Sequence, residues 1–248
     1  MSASKVIVLA TCLVASAASA GVLNGDFSMG TTGWNPQAAF LPDGLAEYAV
    51  INAGDAAFDA GLLGSATNVF YAHALNSYEF DGDWQCLQSD SYGEYISQIS
   101  LGQIGTAATG DNALSFRGAV AFADSSQIGV ASDGSQVEVT LNWITTNPLL
   151  APYMGSDVAA VAGETFDAYA ITLPGEVAAN ITEFQFFVNA SIQSNRNAQD
   201  PAGQTGETKT VDVKAYLDDF EFTYVPEPAT MVMLAVSAAA MLNRRRNR

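Results

Sequence analysis

Along most of the chain, apolar and polar residues take turns. Val137, Val139, Leu141 and Trp143 alternate with Gln136, Glu138, Thr140 and Asn142. Phe184, Phe186, Val188, Ala190 and Ile192 alternate with Gln185, Asn189 and Ser191, and Phe187 alone breaks that second pattern. Phe116, Val120 and Phe122 fall on one side of a third segment, with Ser115, Arg117 and Ala119 on the other. Tyr216, Phe220, Phe222 and Tyr224 form a fourth apolar set. A period of two puts alternate side chains on opposite faces of an extended backbone, so each segment predicts a strand with one buried face. Clusters of Gly, Asn, Asp and Ser separate the runs, and helical spacing is scarce. Several short strands joined by turns predict an all-β antiparallel sandwich of the jelly-roll kind. The polar stretch from Ser194 to Lys209 predicts a long exposed loop, and no internal repeat is evident.

Both ends of the chain break this rhythm. Lys5 precedes an apolar run from Val6 to Ala18, followed by the small-x-small site Ala18-Ser19-Ala20. That three-part pattern predicts a secretory signal peptide over residues 1–20 and a mature chain starting at Gly21. Cys12 leaves with the signal, and Cys86 then has no partner for an intramolecular disulfide. An exported chain without that staple must be held by its core, by a metal, or by both. Residues 21–224 are long enough for one domain with a sizeable core. Their cations are Arg117, Arg196, Lys209 and Lys214, while every acidic residue of the chain except Glu227 lies among them. Within a formal net charge of −17 there is no basic surface for phosphates, so no nucleic-acid partner is expected.

At the other end, Ala229 to Leu242 is apolar apart from Thr230 and Ser237, and Asn243 leads into Arg244-Arg245-Arg246. As a helix this run would span roughly 21 Å at ~1.5 Å per residue, short of a hydrocarbon core of about 30 Å. Snorkelling arginines and local thinning of the bilayer can cover the difference. Arginines directly after an apolar run act as a positive-inside stop. Pro226-Glu227-Pro228 breaks the helix at its outer edge. A transmembrane helix over 229–243 is therefore expected. In this order of parts, residues 225–248 resemble the PEP-CTERM sorting signal of Gram-negative bacteria. The resemblance implies an exosortase, a membrane cysteine protease, as processing partner. It also implies a setting of exopolysaccharide and biofilm production, at the cell surface or in the extracellular matrix.

The body opens with Asn24-Gly25-Asp26-Phe27 and, after a turn, Gly33-Trp34. Glu94 to Leu101 ("EYISQISL"), Asn112 to Gly118 ("NALSFRG") and Ala215 to Phe222 ("AYLDDFEF") follow in order. Together these pieces resemble galactose-binding-like jelly rolls, especially the carbohydrate-binding modules found beside xylanases. The resemblance implies that the opening and closing strands lie side by side and share a structural Ca2+. A carboxylate usually follows the Phe of the opening motif, but here that residue is Ser28. Asp26, Asp218 and Asp219 remain as oxygen ligands for the implied ion. Calcium takes six to eight oxygens, so two adjacent aspartates do not define a site by themselves.

For carbohydrate, the candidate site is Trp84 with Asp81 and Asp83 in the acidic turn "FDGDWQC". An aromatic face stacks on a sugar ring, and carboxylates accept hydrogen bonds from its hydroxyls. The same Asp81-Gly82-Asp83 could form a plain turn or a second calcium loop. Trp143 and Trp34 are assigned to packing. His73 is the one histidine, and no nucleophile-elbow motif, phosphate loop or Cys/His zinc spacing accompanies it. No catalytic residue is therefore assigned. The expected protein has a signal peptide (1–20), a sandwich (21–224) that binds carbohydrate or matrix polymer without enzymatic activity, and a sorting and anchor segment (225–248). A glycan-active hydrolase or lyase on the same fold, and a structural surface protein without a ligand, are the alternatives.

Overall fold

The computed structural model describes residues 21–39, 44–79, 95–108, 111–122, 136–145, 149, 154–174, 183–196 and 208–223. Residues 1–20, predicted as a signal peptide, together with Asp81, Asp83, Trp84 and the whole tail (Pro226, Glu227, Pro228, Arg244, Arg245 and Arg246 included), lie outside them. Among the described residues no helix is long and apolar enough to cross a membrane.

Among the described residues ten strands and one helical turn follow in order: β1 (Asn35–Ala39), β2 (Gly44–Ile51), α1 (Ala60–Leu63), β3 (Val69–Glu79), β4 (Tyr95–Ala108), β5 (Ala113–Phe122), β6 (Gln136–Thr145), β7 (Met154–Ala160), β8 (Asp167–Thr172), β9 (Glu183–Arg196) and β10 (Thr208–Thr223). They form two five-stranded sheets, ordered β1-β4-β9-β6-β7 and β2-β3-β10-β5-β8, with every neighbour antiparallel. The chain crosses repeatedly from one sheet to the other, as the jelly-roll expectation requires. Both ends of the stretch predicted as a long loop are strand, because β9 runs to Arg196 and β10 begins at Thr208.

Alternation does the sorting. Val137, Val139, Leu141 and Trp143 of β6 face inward beside Phe186, Val188, Ala190 and Ile192 of β9. Across the sandwich they meet Phe70, Leu114, Phe116, Val213, Ala215 and Leu217 in one hydrophobic cluster. Phe186 stacks on Phe222 with ring centroids 5.0 Å apart, tying the two sheets together. Gly105 makes room for that ring, since a Cβ there would stand 2.3 Å from Phe186. The indole Nε1 of Trp143 is buried without a hydrogen-bond partner, consistent with a role in packing.

One strand departs from the simple pattern. Tyr216, Phe220 and Phe222 do not share a face as their spacing predicts. The β10–β5 register slips between Asp218 and Glu221, and Asp219 adopts a left-handed φ of 55°. A bulge adds one residue and reverses the parity of the strand. Leu217, Phe220 and Phe222 therefore belong to the inner cluster, while Tyr216 points outward.

On that outer side Tyr216 meets Tyr71, Ala119 and Phe166, and the segment following β2 covers them with Phe58, Leu62 and Leu63. Asp59 caps α1 there, its carboxylate accepting from the amides of Gly61 and Leu62. Burial raises the phenol pKa values of Tyr71 and Tyr216 above the ordinary range. The first sheet carries no such second cluster among the described residues.

Candidate functional site

The opening motif folds around Asn24. Its side chain accepts from the amide of Met29 (3.0 Å) and donates to the carbonyls of Gly30 (2.8 Å) and Thr32 (3.0 Å). Its own carbonyl accepts from the Trp34 indole at 3.1 Å. Asn24 and Phe27 both sit at positive φ, 52° and 47°. Asn tolerates this conformation; Phe does not, and its strain of roughly 1–3 kcal/mol is offset by packing. Phe27 is fully buried among Trp34, Phe70 and Phe220. The buried Gln103 amide pairs with both the N–H and the C=O of Leu23, standing in for a strand neighbour.

This motif abuts the closing strand at the bulge. The amide of Phe220 donates to the carbonyl of Gly25 at 3.0 Å, and a Cβ on Gly25 would lie 1.8 Å from the Phe220 oxygen. The opening and closing segments are thus side by side. Asp218 is buried here, and its carboxyl pKa is raised to about 7. Desolvation is the main cause; the amide of Asp219 and the Arg117 guanidinium oppose it, while the charges of Asp219 and Asp26 add to it. Asp26 is exposed and accepts from both the amide and the hydroxyl of Ser28, which lowers its pKa. Asp219 is exposed, with Arg117 at 3.9 Å.

Among the described residues no three His, Cys, Asp or Glu side chains group closely enough to hold a metal ion. Of the implied calcium ligands, Asp26 is committed to Ser28 and Asp219 faces Arg117. Asp218 alone keeps the chemistry of a buried anionic donor, with its Oδ1 accepting from the Asp219 amide at 2.8 Å.

His73 lies on the outer side of the second sheet, with Nδ1 3.1 Å from Glu47 and Nε2 2.8 Å from Asp212. Lys214 stands 3.9 Å from Asp212. Both imidazole nitrogens are thus committed to carboxylates that lie on the flanking strands β2 and β10.

The first sheet presents a different surface. Register aligns Gln37, Ser100, Ser191 and Glu138 in one row, and Asn35, Gly102, Asn189 and Thr140 in the next. A third row brings together Ile104, Phe187, Asn142 and Ser156. The amides of Gln98 and Gln193 both donate to the Ser191 hydroxyl, at 3.2 and 2.9 Å. At ~4.8 Å between strands, the five span roughly 19 Å, in which amides and hydroxyls share the face with one aromatic ring and with the exposed Ile104 and Val158. Phe187 is that ring, and it is partly exposed. Its break in the alternation was the signal for this face in the sequence. The amides and hydroxyls around it carried none, because they look like any solvated side of a strand.

Fold and surface together define a two-sheet antiparallel sandwich with one largely polar outer face that the described residues leave uncovered. The tail supplies a more specific finding: residues 225–247 match the PEP-CTERM protein-sorting motif. No curated protein matches the chain. Among solved structures the chain is similar to the carbohydrate-binding module TmCBM61 in complex with β-1,4-galactotriose, at 11% identity and a TM-score of 0.38 over 83% of this chain and 99% of that one. It is also similar to a family 16 carbohydrate-binding module, at 12% identity and a TM-score of 0.33 over 80% and 96%. A third similar structure is the enzymatically active domain of tailspike protein 4 from bacteriophage CBA120, at 10% identity and a TM-score of 0.36 over 82% and 21%. At such identities the likeness concerns the fold alone.

Proposed function

We propose that this is an exported, membrane-anchored surface protein whose sandwich binds a polysaccharide without acting on it enzymatically. The sorting motif at 225–247 supports export and anchoring. The outer face of the first sheet carries the binding reading. Glycans are recognised by an aromatic ring that stacks on a pyranose and by planar amides that bond its hydroxyls. Phe187 supplies the ring, and Gln98, Ser100, Asn189 and Gln193 supply the polar groups on adjoining strands. Trp84 with Asp81 and Asp83 remains a second candidate contact from the sequence. The test is a glycan array probed with residues 21–224, followed by titration of the best ligand. Phe187→Ala should weaken binding about tenfold, equivalent to about 1.4 kcal/mol. Unchanged affinity in that variant, or release of shortened product from the bound glycan, overturns the reading.

A structural Ca2+ at the opening–closing junction belongs to the same proposal, with Asp218 as its buried ligand. When bound, the ion would neutralise that carboxylate and join the two chain segments.

A further inference from the structure

We infer that the end of the sandwich from which the tail departs rests on the lipid surface, with Leu23, Ile104, Leu149 and Met154 as its apolar contacts. The inference rests on the reading of residues 229–243 as a membrane segment. It adds which surface of the domain faces the bilayer.

The levels of the strands fix that end. Phe222, one residue before the end of β10, stacks on Phe186. Phe186 in turn pairs with Gly105 and Trp143. Thr223 therefore lies level with Thr106 of β4 and with the Ile144–Met154 pair that ends the β6–β7 ladder, and Ile104 lies two residues, about 7 Å, further in, in the row of Phe187. The first residues of the mature chain are held at the same level: the Gly21 amide donates to the Thr106 carbonyl, and the Leu23 amide to Gln103. Leu149 lies in the chain between the paired ends of β6 and β7.

Four of the eight exposed large apolar side chains among the described residues lie toward that end, while Met29 (56%), Tyr48 (39%) and Val158 (47%) are exposed as well. Leu23 is 43% exposed, Ile104 44%, Met154 62% and Leu149 90%. Leu45, at 38%, marks the opposite end: it pairs with Leu75, which pairs with Asp212. From Asp212 to Thr223 is roughly 36 Å of strand at ~3.3 Å per residue.

Chain length selects lipid as the occupant. Pro226 follows Thr223 by about 10 Å of extended chain, and the apolar run starting at Ala229 by about 20 Å, at ~3.5 Å per residue. So short a connection keeps this end within about 20 Å of the apolar run whenever that run is in the bilayer. The net charge of −17 makes attraction to anionic lipid an unsuitable force, which leaves apolar side chains to make the contact.

The experiment uses the full mature chain in vesicles of phosphatidylethanolamine and phosphatidylglycerol carrying a fluorescent phospholipid tracer. A photoreactive benzoylphenylalanine replaces Met154 in one preparation and Leu45 in another. Flotation first reports whether the protein is anchored; irradiation then reports lipid adducts. Position 154 should give at least about fivefold more lipid adduct than position 45, as an interfacial side chain would. Leu23→Asp with Ile104→Asp should cut the adduct at 154 while leaving flotation intact. Flotation with equal adducts at both positions, or with protein instead of lipid captured at 154, overturns the docking and leaves the anchor standing. Failure to float overturns both.

Discussion

Asp218→Asn tests the junction most directly. The carboxylate is 4% exposed, and its pKa stands at about 7 against an ordinary 3.8. A folded-state pKa above the unfolded value means that the native protein binds the extra proton between those two pH values. Its cost to stability is absent below about pH 4, grows as pH rises through the window, and is complete above pH 7. At about 1.4 kcal/mol per unit the whole shift corresponds to about 4 kcal/mol, and screening by water reduces this to roughly half. Asparagine keeps the shape and can still accept from the Asp219 amide, but it never carries the charge. The variant should therefore match wild type at pH 4 and exceed it by roughly 2 kcal/mol at pH 8. Urea unfolding of residues 21–224 in chelator at both pH values measures the difference, and subtraction removes the general repulsion of an acidic chain. Added calcium at pH 8 should then raise wild type and not the variant, because an ion bound to the folded state alone stabilises by mass action. A stability difference that does not change with pH refutes the burial argument. A calcium response identical in both proteins removes Asp218 from the ligand set.

Two further outcomes are expected. Gly25→Ala forces a Cβ onto the Phe220 carbonyl, so thermal unfolding should show a loss of about 3 kcal/mol from overpacking and a broken hydrogen bond; a loss below about 1 kcal/mol would mean that the two segments part easily. Glu227→Ala leaves the apolar run intact while altering the sorting motif, so in a host carrying an exosortase the protein should still reach the membrane but keep its unprocessed size on gels; normal processing would reduce the tail to a plain anchor.

The inner faces of the strands were legible because burial needs nothing beyond alternation. Val137 to Trp143 and Phe186 to Ile192 face the core as their spacing predicts. Tyr216 was misplaced because a bulge leaves no mark in hydropathy. Its cause is the left-handed Asp219, and Asp is one of the residues that tolerate that conformation. The packing of the opening motif against the closing strand came from resemblance, and the close approach of Gly25 to Phe220 accounts for it physically.

The polar outer face of the first sheet was harder to find, for a physical reason. An outward amide on a single strand is indistinguishable from ordinary solvation. It becomes part of a surface when strand order sets it beside others, and that order is nonlocal: Gln98 reaches Ser191 across 93 residues of chain. The two sheets are alike in sequence rhythm, yet the second hides Tyr71 and Tyr216 beneath the segment that carries α1. On the first, Phe187 has no comparable cover among the described residues, although an aromatic side chain would be more stable buried. A hydrophobic ring kept among amides costs stability that the fold could recover by changing one residue. A ligand stacked on the ring would offset that cost, which is why Phe187 is the position at which to test binding.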